Sequence, residues 1–582
     1  MNSLLEALMS LSTELARLLS EYDEWLLSEN PFLATMLGDH RFNHLLGENG
    51  PARIEKDAIA YKNFLVKVDA LPSENMDQDD LLTASILKKG LENALEGVDL
   101  GVHLLCVDHM SGPQINLPHL CQIHPFRDKK DYEDFLSRLV QIPENLDGDI
   151  AILRLGIDKG LTNPTFSIRQ AIEQTRALID NIQSPFFLPI TGQKPDFQGK
   201  GEIFEAISEA IKGKIWPSLS KFADFLEKEY LPVCTDDPGL CHRPGGDRIY
   251  KFLVAQHTAP GLKPEEIHKI GLSEVSRVQK EMLTIMKAVD FKGELSDFFN
   301  MLKSDSRFLA SSREEYMNFF ESILKAMEEK IPQYFKTLPK YPYEVKPMES
   351  FREKNAPTAY YMPGPLDGSR PGIYYVNTYE WEKRSTYTLE ALSFHEAVPG
   401  HHFQISLSRE LAELPLVRKL AHYTAYIEGW ALYTELLARE MGFYTDPYSD
   451  FGRLTFDAWR SARLVIDTGL HHLGWDMETA RKYLRDNTSL SEPDIAAEID
   501  RYCVMPGQAL SYKIGQIQMI KLRKLAMDRL GEAFDYGEFH DTILLSGALP
   551  LDILEEKVVE WVEKVISQNR ETNSAVEQGI NG

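Results

Sequence analysis

Cysteine, positive charge and long apolar runs are all scarce in this chain of 582 residues. Its five cysteines, Cys106, Cys121, Cys234, Cys241 and Cys503, are odd in number and widely scattered. That spacing excludes a disulfide scaffold and predicts free thiols in a reducing compartment. Cys234, Cys241 and His242 have no neighbour that completes a zinc spacing, so they read as buried or loop thiols. Lysine and arginine number 63 against 88 acidic residues, and the formal charge of −25 argues against nucleic acid as a partner. No segment approaches about 18 consecutive apolar residues, so no membrane-spanning helix is expected. Met1 to Ser20 has no basic cluster and no small-residue cleavage site. Glu6, Glu14 and Arg17 interrupt its apolar positions, which predicts an amphipathic helix and no signal peptide. Internal repeats and low-complexity linkers are missing too. The expectation is a cytoplasmic protein, with 43% hydrophobic and 26% charged residues, able to bury a large core.

Helical periodicity dominates what is present. Leu4, Leu8, Leu11, Leu15, Leu18, Tyr22 and Trp25 recur every three or four positions and predict a long helix ending near Asn30-Pro31. Similar patterns predict helices over Tyr132–Leu139, Thr165–Gln183, Glu202–Glu229, Pro264–Val289, Ser312–Lys330, Leu416–Met441, Asp476–Asp486, Ser511–Leu530 and Pro550–Ser567. Pro185, Pro217, Pro260-Gly261 and Pro506-Gly507 supply breaks. Between Tyr341 and Tyr379 the runs Ala359-Tyr360-Tyr361 and Gly372-Ile373-Tyr374-Tyr375-Val376-Asn377 are β-prone and predict a small sheet. The expected fold is therefore mainly α, with a small β-sheet beside the helix described next. Residues 1–570 form one helical unit or two lobes, about 1–340 and 341–570, flanking a cleft. The polar tail 571–582 reads as disordered.

The helix through Leu389, Leu392 and Phe394 leads into His395-Glu396-Ala397-Val398-Pro399-Gly400-His401-His402. This is one substitution from His-Glu-x-x-His, a motif that sets two zinc ligands and a water-activating carboxylate on one helix face. Pro399 stands where the second histidine belongs. Proline has no N–H to return to the carbonyl of His395, and glycine tolerates unusual backbone angles, so the helix must kink or bulge here. On a straight helix His401 would point about 240° away from His395, and His402 would lie on the same face but about 10.5 Å along the axis. Looping out two residues at Pro399-Gly400 would restore the i, i+4 relation between His395 and His401. His401 is accordingly preferred as the second ligand, with His402 as a supporting group or substrate contact. Glu428, 27 positions on and set among Tyr426, Ile427, Trp430, Ala431 and Leu432, is the candidate third ligand, because an unpaired carboxylate there would be costly. Glu435, two turns later, could orient a histidine. The competing reading is a kinked helix with incidental histidines.

The segment from His395 to Gln404 resembles the signature of the bacterial domain of unknown function family 885. The likeness extends through Asn30-Pro31, Pro264 to Leu272, Asp367 to Gly372, Glu428 to Tyr433, Arg463 to Gly469 and Pro506 to Gly515. It implies a large helical zincin-like fold of the gluzincin type, with Zn2+ on His395, His401 and Glu428 and with Glu396 as general base. By analogy with helical zinc peptidases, Tyr512 is the candidate oxyanion donor. Lys513, Arg463 or Arg370 could hold a substrate carboxylate. Gln508 and His471 are weaker candidates. The implied function is a zinc hydrolase, of carboxypeptidase or dipeptidase type, acting on short peptides. The alternatives are an amidohydrolase acting on a non-peptide amide, or a helical binding protein with a degenerate site.

Overall fold

The computed structural model describes residues 12–348, 357–364, 370–412 and 414–580, with side chains described to residue 570. The first helix, α1 (Thr13–Glu29), buries Leu15, Leu18 and Leu19 against Phe64 of α2 (Pro51–Asp69) and Leu87 and Leu91 of α3 (Gln78–Leu100). Leu4, Leu8 and Leu11, expected on the same stripe, lie outside the described residues. Helix α4 (Lys129–Lys159) starts where the Asp128 carboxylate accepts from the Asp131 amide and ends at Gly160, whose φ of 68° suits glycine. It is far longer than the expected Tyr132–Leu139. The predicted segment Glu202–Glu229 is helical, but it passes Pro217 with wide π turns at Ile211–Ile215 and Leu226–Tyr230. The first π turn directly precedes the α-helical run containing the proline, whose missing N–H would otherwise break the ladder.

Helix α5 (Pro264–Ala288) begins with Pro264 and with the Glu266 carboxylate accepting from the Lys263 amide at 3.2 Å. After α6 (Arg313–Lys330) come three strands, β1 (Tyr343–Pro347), β2 (Ala359–Met362) and β3 (Gly372–Val376). They form one sheet in the order β1-β3-β2, with β1 parallel and β2 antiparallel to β3. The mainly helical fold with a small sheet is as expected from periodicity. The edge strand β2 lies against α7 (Leu389–Glu396), which is followed by α8 (His401–Glu410) and α9 (Thr424–Glu440). The expected Leu416–Met441 helix is thus two helices, because a short turn of Leu416–Lys419 stops before α9.

Helix α10 (Pro447–His471) is a correction to the sequence reading, which assigned no element there. Asp450, Arg453, Asp457, Arg460, Arg463, Asp467 and His471 follow one another at intervals of three or four, as apolar residues do on an ordinary helix, and all are buried. Charges at core positions demand partners. Asp450 accepts from Arg453 at 2.7 Å, Asp457 from Arg277 at 2.7 Å, and Asp467 from the Tyr250 hydroxyl at 2.6 Å. Two further helices, α11 (Glu492–Val504) and α12 (Ser511–Leu530), supply others, and α13 (Leu551–Ile580) closes the chain. The disorder expected for residues 571–582 falls where side chains are not described.

Helices α9 and α12 pack backbone to backbone. A Cβ on Gly429 would lie 2.4 Å from the Cα of Gly515, and one on Gly515 would lie 1.9 Å from the carbonyl oxygen of Ala425. Only glycine permits that approach, and it sets Glu428 of α9 beside Tyr512 of α12. One core cluster joins Ile86, Leu104, Phe320, Trp430 and Val562, so it spans the sequence on both sides of residue 340. No described helix is long and apolar enough to cross a membrane.

Candidate metal centre

Helix α7 stops at Glu396, four residues form a link, and α8 begins at His401. The break is complete, where the sequence predicted a kink or bulge. The Val398–Pro399 peptide is cis. A Cβ on Gly400 would fall 1.9 Å from the carbonyl oxygen of His395, so only glycine fits against the end of α7. Two residues of α9 hold the link. Trp430 donates its indole N–H to the Pro399 carbonyl at 2.9 Å, and Thr434 donates its hydroxyl to the Phe394 carbonyl at 3.0 Å. These bonds consume carbonyls left unpaired by the broken helix.

The result turns His401 back toward His395, with ring centroids 4.8 Å apart and planes nearly perpendicular at 87°. Glu428 completes a trio whose ligand atoms all lie within 4.8 Å of one another. Glu428 Oε2 is 3.3 Å from His401 Nε2 and 3.6 Å from His395 Nε2, and it accepts no hydrogen bond. Tetrahedral zinc with bonds of about 2.1 Å would separate its ligand atoms by about 3.4 Å. Both measured separations bracket that value, so the donor set fits such an ion. Behind it, His395 Nδ1 lies 2.8 Å from Glu435 Oε1, which fixes the ring with Nε2 facing the trio. Burial works against charge on His395, but Glu428 and Glu435 outweigh it and bring the imidazole up to about 9. Burial raises the Glu428 carboxyl, yet the facing imidazoles of His401 and His395 hold it well below the usual range.

Glu396 is the last residue of α7, and its Oε2 accepts the Tyr361 amide of β2 at 3.0 Å. Burial raises its carboxyl above the ordinary value, opposed by the two imidazoles. Tyr512 is half-buried, and its hydroxyl is 3.4 Å from Gln508 Nε2. Burial first, then the charge of nearby Glu428, raises its phenol.

The remaining expected contacts go elsewhere. His402 points away from the trio, with Nδ1 3.0 Å from the Tyr361 hydroxyl and 3.2 Å from Ser406 Oγ. Burial brings it down to about 4, so it is neutral. Lys513 is a correction. It is buried, and its ammonium serves Asp457 at 2.5 Å, Gln516 at 2.8 Å and Glu274 at 3.0 Å. Those three acceptors use all its donors, so no substrate clamp remains. Arg463 donates to the Tyr502 hydroxyl at 2.8 Å and to Glu498 at 3.0 Å, with only Nη1 unpartnered. Arg370 is exposed and donates to the carbonyls of Pro371 and Pro363. His471 bridges the Leu240 amide and the Tyr502 carbonyl, a core histidine that burial brings down to about 4. Gln508 binds Arg501 through its carbonyl at 2.7 Å.

Two residues escaped the sequence reading. Tyr361 was visible only as part of a strand. Arg460 sits on α10, the helix that periodicity hid.

A sequence profile for a bacterial protein of unknown function, DUF885, matches residues 31–558. No curated protein matches the chain. The crystal structure of a lipoprotein candidate from Colwellia psychrerythraea superposes with a TM-score of 0.89 at 29% identity, covering 95% of this chain and 99% of that one. The structure of a lipoprotein candidate of unknown function from Shewanella oneidensis gives a TM-score of 0.75 at 17% identity, over 94% and 100% of the two chains, and so shares the fold.

Proposed function

The chain belongs to the DUF885 family of bacterial proteins, and from that premise we propose that it is a zincin-like, zinc-dependent hydrolase that cleaves short peptides. The observation that carries this reading is the convergence of His395, His401 and Glu428 across a broken helix, with Glu435 behind His395. An incidental pair of histidines would not need an obligatory glycine and two side-chain bonds from α9 to bring them together. His395, His401 and Glu428 would hold the ion. Zinc bound there lowers the pKa of water and polarises a substrate carbonyl.

The protein's own groups supply the rest. Glu396, held by the Tyr361 amide, accepts the proton of the attacking water and delivers it to the leaving nitrogen. Tyr512 donates its hydroxyl to the oxyanion of the tetrahedral intermediate, since its raised phenol keeps the proton. The five free cysteines suit a cytoplasmic setting.

Two measurements test the proposal. Metal analysis of the purified chain should find one zinc per molecule, and chelation should abolish hydrolysis of a panel of di- and tripeptides. Turnover of acyl-amino acids in preference to every peptide would make it an amidohydrolase instead, and activity indifferent to chelation would refute the metal chemistry. Replacing histidines one at a time separates ligand from neighbour. His401→Ala should weaken zinc binding by well over about 100-fold, whereas His402→Ala should stay within about tenfold. The reverse order would assign the second imidazole to His402.

A further inference from the structure

Arg460 stands out among the buried cations. Its exposure is 6%, yet Nε and Nη1 have no hydrogen-bond partner, and among the described residues no carboxylate lies within ion-pair distance of it. Its neighbours on α10 each have a carboxylate partner: Arg453 has Asp450 and Arg463 has Glu498. A buried guanidinium left with open donors is expensive unless something arrives to occupy them. Stacking holds it in place, with Cζ 4.7 Å from the Phe456 ring centroid and 4.6 Å from that of Trp459. Stacking fixes the plane and leaves N–H groups on two edges of the guanidinium, Nε on one and Nη1 on the other, open to an anion.

Its position is beside the candidate reaction centre. Cζ is 6.0 Å from the ring centroid of Tyr512, over which Arg463 also sits at 4.4 Å with its unpartnered Nη1. Glu435 and Glu428 are near enough for their charges to act on the guanidinium. Glu435 is the obvious structural partner, and its Oε2 is itself unpaired. The two do not meet, so neutralising Glu435 does not account for the open donors. Arg460, Arg463 and Arg501 bring three positive charges to this wall, and Glu498, bound by Arg463 and Arg501, returns one.

We propose that Arg460, assisted by Nη1 of Arg463, is the receptor for a substrate carboxylate, so that the enzyme selects substrates carrying a negative charge close to the amide that is cut. This rests on the hydrolase reading of the metal centre. The carboxylate could be the C-terminus of a peptide or an acidic side chain, which share the same chemistry.

The test measures binding by calorimetry to full-length Glu396→Gln protein, with and without zinc, so that turnover does not intervene. The probes are trialanine, its C-terminal amide, and alanyl-alanyl-glutamate amide. Trialanine should bind on the order of 100-fold more tightly than its amide. Arg460→Met should shrink that ratio below about threefold, and Arg460→Lys should give an intermediate ratio. Equal binding of trialanine and the glutamate amide would identify the receptor as serving either carboxylate. A preference for the glutamate amide would assign it to the side chain. The inference is overturned if neither trialanine nor the glutamate amide binds better than trialanine amide, or if the Arg460 variants weaken all three equally. Zinc uptake is read separately. A preference for the acid without zinc uptake would sink only the hydrolase reading, and zinc uptake without that preference would sink only this one.

Discussion

Glu396→Gln should leave zinc content unchanged and lower kcat on peptide substrates by about 10²- to 10⁴-fold, the usual contribution of a positioned general base. The substitution is close to a pure test of proton transfer. The glutamine carbonyl can still accept the Tyr361 amide that binds Glu396 Oε2 at 3.0 Å, so the end of α7 keeps its place against β2. Glu396 is not among the three groups that fit the ion, so metal affinity should change little. What is lost is a basic oxygen, because a carboxamide cannot take a proton at neutral pH. Retained turnover would remove Glu396 from the mechanism, and lost zinc would show instead that it helps hold the ion.

The histidines and Glu428 were legible in sequence for a physical reason. Their neighbours Phe394, Tyr426 and Trp430 are core residues, and polar groups embedded in apolar sequence need a partner. Pro399-Gly400 announced a break, and the only question was its size. Periodicity could not have found α10. Its charged residues repeat with the helical period but face inward, so the rule that polar residues mark the solvent face reads the helix inside out. Lys513 was misread for the same reason: a lysine on an amphipathic helix is normally exposed, and nothing local reveals that Asp457 and Glu274 wait across the interface. Gly515, two residues on, carried the hint, because a glycine inside a helix often marks a close approach.

That misreading leads to a second large effect. A substrate clamp at Lys513 would show itself in KM and leave stability alone. The buried network predicts the opposite, since Lys513→Met leaves the buried Asp457 and the half-buried Glu274 without their shared ammonium. Breaking such an interaction by deleting one partner costs about 3–5 kcal/mol, although Arg277 still binds both acids and sets the effect toward the lower end. The loss should appear as a lower midpoint in urea at pH 7. Acid should reveal its origin. Burial raises both carboxyls, but Lys513 and Arg277 overcome it and hold Asp457 and Glu274 below their ordinary values. Depressed carboxyls add stability that is complete above their unfolded pKa, about 4, and is lost as pH falls through the folded one. The wild type should therefore lose stability steeply below about pH 4, and Lys513→Met should lose less over the same range because it starts with less to lose. Equal acid slopes in the two proteins, with an unchanged midpoint at pH 7 and a raised KM, would return Lys513 to the substrate and leave the charges inside α10 without their central cation.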